Sequence, residues 1–163
     1  VLDALTYAGS RESLAPVAHP RLVADAARDA TALAGMPLLE LDDPRPWLQW
    51  RSWLSARGQH GLKQARKRGI VRLNQYDQVI HAALAGQGVA LGRLELLQPL
   101  LASGQLALLP GVGGPQPSPY AFWLLLAERQ PRADVLRVAD WIRSEAASVA
   151  AGATSYSTAP SPR

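Results

Sequence analysis

The chain has 163 residues, 48% of them apolar, which is enough to build the core of one compact or lobed domain. Lys and Arg number 17 against 13 Asp and Glu, a net charge of +4, too mild for the concentrated basic face of a nucleic-acid-binding domain. No cysteine is present, which excludes disulfides, thiolate nucleophiles and cysteine-based metal sites and suits a cytoplasmic setting, and no stretch approaches the ~20 apolar residues of a bilayer span.

Val1 to Ser10 shows no basic start followed by an apolar run, so no export signal is expected; the missing initiator Met suggests a piece of a longer protein. Leu14 to Ala18 then reads as a strand, followed after Pro20 by a helix over Arg21 to Ala27. Leu38 to Leu41 is the next strand, stopped by Asp42, Asp43 and Pro44. Trp47, Trp50, Trp53 and Leu54 follow at helical spacing up to Gly58, a stripe that fits packing on a core better than a sugar or base platform. Arg57 to Arg72 is a basic, Gly-punctuated stretch that reads as a solvated loop entering a short strand at Ile70 to Leu73.

Asn74 is placed to cap the next helix, with Asp77 three residues on and Tyr76, Val79, Ile80, Ala83 and Leu84 as its buried stripe. Gly86 and Gly88 stop it. Val89 to Leu91 and Leu106 to Leu109 read as strands around a helix over Glu95 to Ala102, and a Gly- and Pro-rich connection fills Pro110 to Pro119. Tyr120 to Ala127 has the continuous apolar character of a strand buried on both faces. A last helix opens at Pro131 with Val135, Val138, Ala139, Ile142 and Ala146 at helical spacing, and from Ser148 the composition predicts a disordered tail. Strands alternating with helices predict an α/β fold with a mainly parallel sheet.

The chemistry of catalysis is not assembled by these motifs. Gly86, Gly88 and Gly92 follow a helix and precede a strand, the reverse of a dinucleotide-binding turn, and the third glycine is one place late. No serine has the flanking glycines of a nucleophile elbow. His19, His60 and His81 are too far apart in sequence for a local metal motif, and Asp42-Asp43-Pro44 is ordinary turn chemistry. Neither a metal nor another cofactor is expected, and the chain does not read as an enzyme.

Three segments in this order are similar to the effector-binding domain of LysR-type transcriptional regulators, especially the subgroup resembling the glycine-cleavage and β-lactamase activators. They are Glu12 to Pro20 with Leu38 to Asp43 and Trp50 to Gly58; Ala82 to Gly92, the most specific, with Leu100 to Leu106 downstream; and Tyr120 to Glu128 followed by a helix carrying Trp141 to Glu145.

The resemblance implies a periplasmic-binding-protein-like (type 2) domain of two α/β lobes. Residues 1–17 would end the first lobe and cross over, 18–118 form the second lobe, 119–147 return to and close the first, and 148–163 trail as the disordered tail. The first lobe would be incomplete, leaving apolar residues such as Leu124 and Leu126 exposed. It further implies a small-molecule effector, with Asn74, Gln75 and Tyr76 as contacts at a helix N-terminus whose amides favour a carboxylate or similar anion, and Trp123 as a wall residue. DNA would be met only through a missing N-terminal winged helix-turn-helix, and the full-length protein would be a homo-oligomer that touches no membrane. A solute-binding protein of a transport system, with the same architecture, is the alternative.

Overall fold

A computed structural model describes residues 7–28, 36–55, 69–110, 114–126 and 130–153. They divide into two compact units, one formed by residues 14–116 and the other by 1–13 with 117–163.

The 14–116 unit is built on a sheet of strand order β3-β2-β4-β1-β5. Its strands are β1 (Tyr7–Ala18), which enters from the other unit, β2 (Leu38–Leu41), β3 (Ile70–Leu73), β4 (Val89–Arg93) and β5 (Ala107–Leu108). Strand β2 runs parallel to β3 and β4, as alternation with helices requires, whereas β1 is antiparallel to β4 and β5, so the sheet is mixed. Between the strands lie α1 (Pro20–Arg28), a 3-10 turn at Pro46–Leu48, α2 (Trp50–Ser55), α3 (Tyr76–Leu84) and α4 (Leu94–Ala102).

The two-residue period of the strands sorts the core into two layers. Leu14, Leu38, Val89 and Leu91 pack with Trp50 and Trp53 of α2, and Leu22 and Val23 of α1 lie against them. Ala15, Val17, Leu39 and Ala90 pack with Val79, Ile80 and Ala83 of α3 and with Leu94 and Leu97 of α4. Helices thus cover both sheet faces, which is why these short strands are mostly apolar. The tryptophan stripe belongs to the core as its spacing predicts: Trp50 and Trp53 are buried and meet edge to face at 5.7 Å.

One charged residue sits inside the first layer. Glu40 shares its strand face with Leu38 and is 3% exposed. Its carboxylate accepts the Trp50 backbone N–H at 2.7 Å and the Arg72 Nε–H at 3.1 Å, while the Trp50 indole donates to the Leu39 carbonyl at 2.8 Å. Glu40 and Arg72 are register partners on β2 and β3. The same contacts explain why the tryptophan segment is not one continuous helix: Glu40 supplies the acceptor for the first amide of α2, so the helix starts at Trp50 and Trp47 stays in the 3-10 turn.

Gly86 holds φ +71° and closes α3 in a Schellman arrangement, its N–H bonding the Ala83 carbonyl and the Gln87 N–H the Ala82 carbonyl, both at 3.0 Å. Gly104 ends α4 in the same way. Gly88 answers a different need, because a Cβ there would lie 2.4 Å from the Pro37 carbonyl oxygen. The Ala-Gly-Gln-Gly run is therefore a helix stop and a close backbone approach, as its position after a helix predicts. The basic stretch expected to be a loop lies, from 56 to 68, outside the described residues.

In the other unit β6 (Gln116–Leu124) pairs with β1, and α5 (Ala133–Ala153) follows. Strand β6 starts four residues before the expected Tyr120 and ends at Leu124. Beyond it Leu125 is 62% exposed and Leu126 8%, so the run is not buried on both faces, and Leu126 is covered where the incomplete lobe was expected to expose it. On α5 the expected stripe is largely bare: Val135, Val138 and Ile142 are exposed and Ala139 is buried. Residues 148–153, expected to be disordered, extend the helix. Their Ala-rich sequence has high helix propensity, and extending an existing helix needs no new nucleus. The remaining tail, 154–163, lies outside the described residues.

Two substitutions test these contacts. Glu40→Ala leaves the buried Trp50 N–H without its acceptor and is expected to cost about 1–3 kcal/mol, read as a lower urea midpoint at unchanged slope. Gly88→Ala is expected to cost about 1–3 kcal/mol by overpacking, whereas Gly114→Ala, whose Cβ meets nothing within 4 Å, leaves the midpoint unchanged.

Candidate functional site

The carboxyl ends of the parallel strands β2, β3 and β4 lie at one end of the sheet, where β2 enters a turn, β3 is followed after two residues by α3, and β4 passes directly into α4. The β2 loop opens with Asp42, whose N–H donates to the Leu73 carbonyl at 2.8 Å and so prolongs the β2–β3 pairing. That bond keeps the chain extended through Leu73 and leaves two residues, Asn74 and Gln75, to turn into α3. The helix cap is therefore Gln75, at φ −129° and ψ 138°, and not Asn74 as the capping pattern predicts. The Gln75 side chain makes no capping hydrogen bond. Asn74 and Gln75 are both exposed, one residue apart at the positive end of α3, where first-turn amides project from the helix.

Tyr76 is turned differently. Half-buried, its hydroxyl accepts the Arg93 backbone N–H at 2.8 Å, and the Arg93 guanidinium lies 5.6 Å from the centre of its ring. Arg93 is the N-cap residue of α4, so the phenol joins the start of α3 to the start of α4. Tyr76 thus lies beside Asn74 and Gln75 but packs inward against a neighbouring strand end. Trp123 lies on β6 in the other unit, and its side chain is outside the described residues.

Asp43 is a residue that the sequence reading placed in a turn without further role. It does form the turn: its carboxylate accepts the Arg45 backbone N–H at 2.9 Å and the Arg45 guanidinium through both oxygens at 2.7 and 2.6 Å. The hydrogen bond from the Arg45 side chain, helped by the positive charges of Arg45 and Arg93, holds the Asp43 carboxyl below its ordinary range against the opposing effect of burial. The strand ends thus carry a fixed carboxylate and two arginines as well as the exposed Asn74 and Gln75. The Asp-Asp-Pro signal marked the turn; the presence of Arg93 beside it depends on β4 lying next to β2, which no local motif announces.

The Nδ1 of His19 accepts the Arg21 N–H at 3.1 Å at the start of α1, His81 is exposed on α3, and His60 lies outside the described residues. Among the described residues no group of three or more His, Cys, Asp or Glu could hold a metal, and no helix is long and apolar enough to cross a membrane.

The sequence matches the family described as the LysR substrate binding domain over residues 9–147. No curated protein matches it. Its fold is similar to that of the effector domain of the transcriptional regulator AmpR of Pseudomonas aeruginosa, with a TM-score of 0.65, 19% identity, and coverage of 93% of this chain and 69% of that one. The AmpR effector-binding domain from Citrobacter freundii gives a TM-score of 0.57 at 18% identity, covering 90% and 69%. The regulatory domain of AphB in Vibrio vulnificus gives 0.58 at 18% identity, covering 86% and 68%. These likenesses establish a periplasmic-binding-protein-like type 2 fold.

The Asp43 contacts set a pH dependence. A carboxyl held below its ordinary 3.8 contributes stability that is present above that pH and is lost as pH falls through the depressed value. Asp43→Asn is therefore expected to lower the urea midpoint at pH 7 and to flatten its decline below about pH 4, as followed by circular dichroism across a pH series.

Proposed function

This chain belongs to the LysR substrate-binding domain family, and we propose that it meets its effector at the loop edge formed by β2, β3 and β4. A domain of this family is the effector-binding regulatory module of a LysR-type transcriptional regulator; the transport-type alternative has no support in the family match. The role is regulatory, not catalytic: effector binding shifts the population of an arrangement that a DNA-binding part of the regulator reads, and no bond is made or broken. The setting is the cytoplasm, where operator DNA lies.

The observation that carries the site is the start of α3. Ligands of open α/β sheets sit at the carboxyl ends of the strands, and a helix N-terminus there is a ready anion site. At this edge the helix end is left uncapped by side chains, flanked by the exposed Asn74 and Gln75. An anionic group of the effector, a carboxylate foremost, takes the first-turn amides, with Asn74 and Gln75 as polar contacts. Tyr76 shapes the floor through its bond to Arg93. The contribution expected of Trp123 rests on the family resemblance alone.

A thermal-shift screen of small carboxylates tests the reading. The effector is expected to raise the unfolding temperature, since saturation at a hundredfold excess over Kd stabilises by about 2.7 kcal/mol. Asn74→Ala combined with Gln75→Leu is expected to weaken that ligand about tenfold, or ~1.4 kcal/mol, without moving the unliganded melting temperature. Unchanged affinity in the double variant removes the assignment of the site.

A further inference from the structure

A concave site lies beside β3, the end strand of the 14–116 sheet, and neither Asn74 nor Gln75 lines it. It is a cavity of about 320 Å³ between β2, β3 and α2, at the lower end of the roughly 300–1,000 Å³ typical of small-molecule sites. Leu54 and Ile70 give it an apolar wall, while Leu38 and Trp50 are fully buried, and Glu40, Arg51 and Arg72 bring charge to it.

The charges are not balanced. Both oxygens of the buried Glu40 carboxylate are engaged, one by the Trp50 N–H and the other by the Arg72 Nε–H. Its role toward Arg72 is orientation: it grips the guanidinium by Nε, and the two Nη groups, with four N–H donors, find no acceptor among the described residues. Arg72 is 60% exposed in its side chain. Arg51, one residue after Trp50 on α2, lines the same cavity and likewise makes no ion pair among the described residues. Two guanidiniums, one held in place by a buried carboxylate, face a pocket with an apolar wall and a net positive charge.

We infer that this cavity binds an aromatic carboxylate, whose ring lies against Leu54 and Ile70 and whose carboxylate takes the Nη donors of Arg72 and the guanidinium of Arg51. A planar carboxylate matches a guanidinium fork in two parallel hydrogen bonds. The site is separate from the proposed effector edge and does not depend on it.

The experiment is a titration of the isotope-labelled chain with benzoate, followed by amide and indole NMR shifts, beside a titration with benzyl alcohol as the uncharged counterpart. Saturable shifts of the Trp50 indole N–H and of the amides of Gln49–Leu54 and Ile70–Arg72 are expected, with affinity on the order of millimolar and at least tenfold weaker for benzyl alcohol. Arg51→Gln with Arg72→Gln, both at exposed side chains and checked for fold by circular dichroism, is expected to erase that preference for the acid. Absence of saturable shifts overturns the inference. So does equal binding of acid and alcohol, which would mark an apolar crevice only, and so do shifts confined to Asn74–Tyr76, which would place benzoate at the effector edge instead.

Discussion

The 14–116 unit depends on how one buried carboxylate is satisfied. Glu40 lies in the apolar layer under α2, where an unpaired charge would be untenable. It is stable there because it bonds the first amide of α2 and the guanidinium of Arg72 on β3. One side chain on β2 thereby fixes where α2 begins, presses Trp50 onto the sheet and binds the outermost strand to its neighbour. The Trp50 indole completes the attachment through the Leu39 carbonyl. Position 40 is thus a polar exception in a strand that otherwise buries leucines, and the exception is what sets the geometry of one sheet face.

Much of this fold is legible in the sequence because its signals are local. Alternating runs at Leu38–Leu41, Ile70–Leu73 and Val89–Leu91 mark strands, and the glycines at 86 and 104 mark helix ends by the left-handed backbone they require. What escaped was decided by contacts between segments distant in the chain. The capping pattern favours Asn74, but the bond between the Asp42 N–H and the Leu73 carbonyl keeps the strand extended and moves the cap to Gln75. The burial of Glu40 depends on Trp50 and Arg72, which only the fold brings to it. The antiparallel course of β1 could not be read from alternation, since β1 precedes the first crossover of the unit.

The helix start at the proposed edge was legible to the same degree, because a helix opening after a strand is a local signal; Asn74, Gln75 and Tyr76, named through the family resemblance, stand at that start. Their division of labour was not visible: two side chains are exposed, while the third is committed to Arg93. The arginines flanking Asp43 come from the turn itself and from β4, which lies beside β2 only in the folded sheet. Family membership supplies the class of function.

The bond between the Tyr76 hydroxyl and the Arg93 N–H has a mechanical consequence. Helices α3 and α4 are joined at their heads by this strut, and at their far ends each is pinned by a glycine turn that feeds the next strand. A pull on the first turn of α3 cannot be absorbed there alone; it loads the head of α4 as well. Asn74 and Gln75 thus stand next to a residue bonded directly to the head of α4, so the two helix starts share one contact.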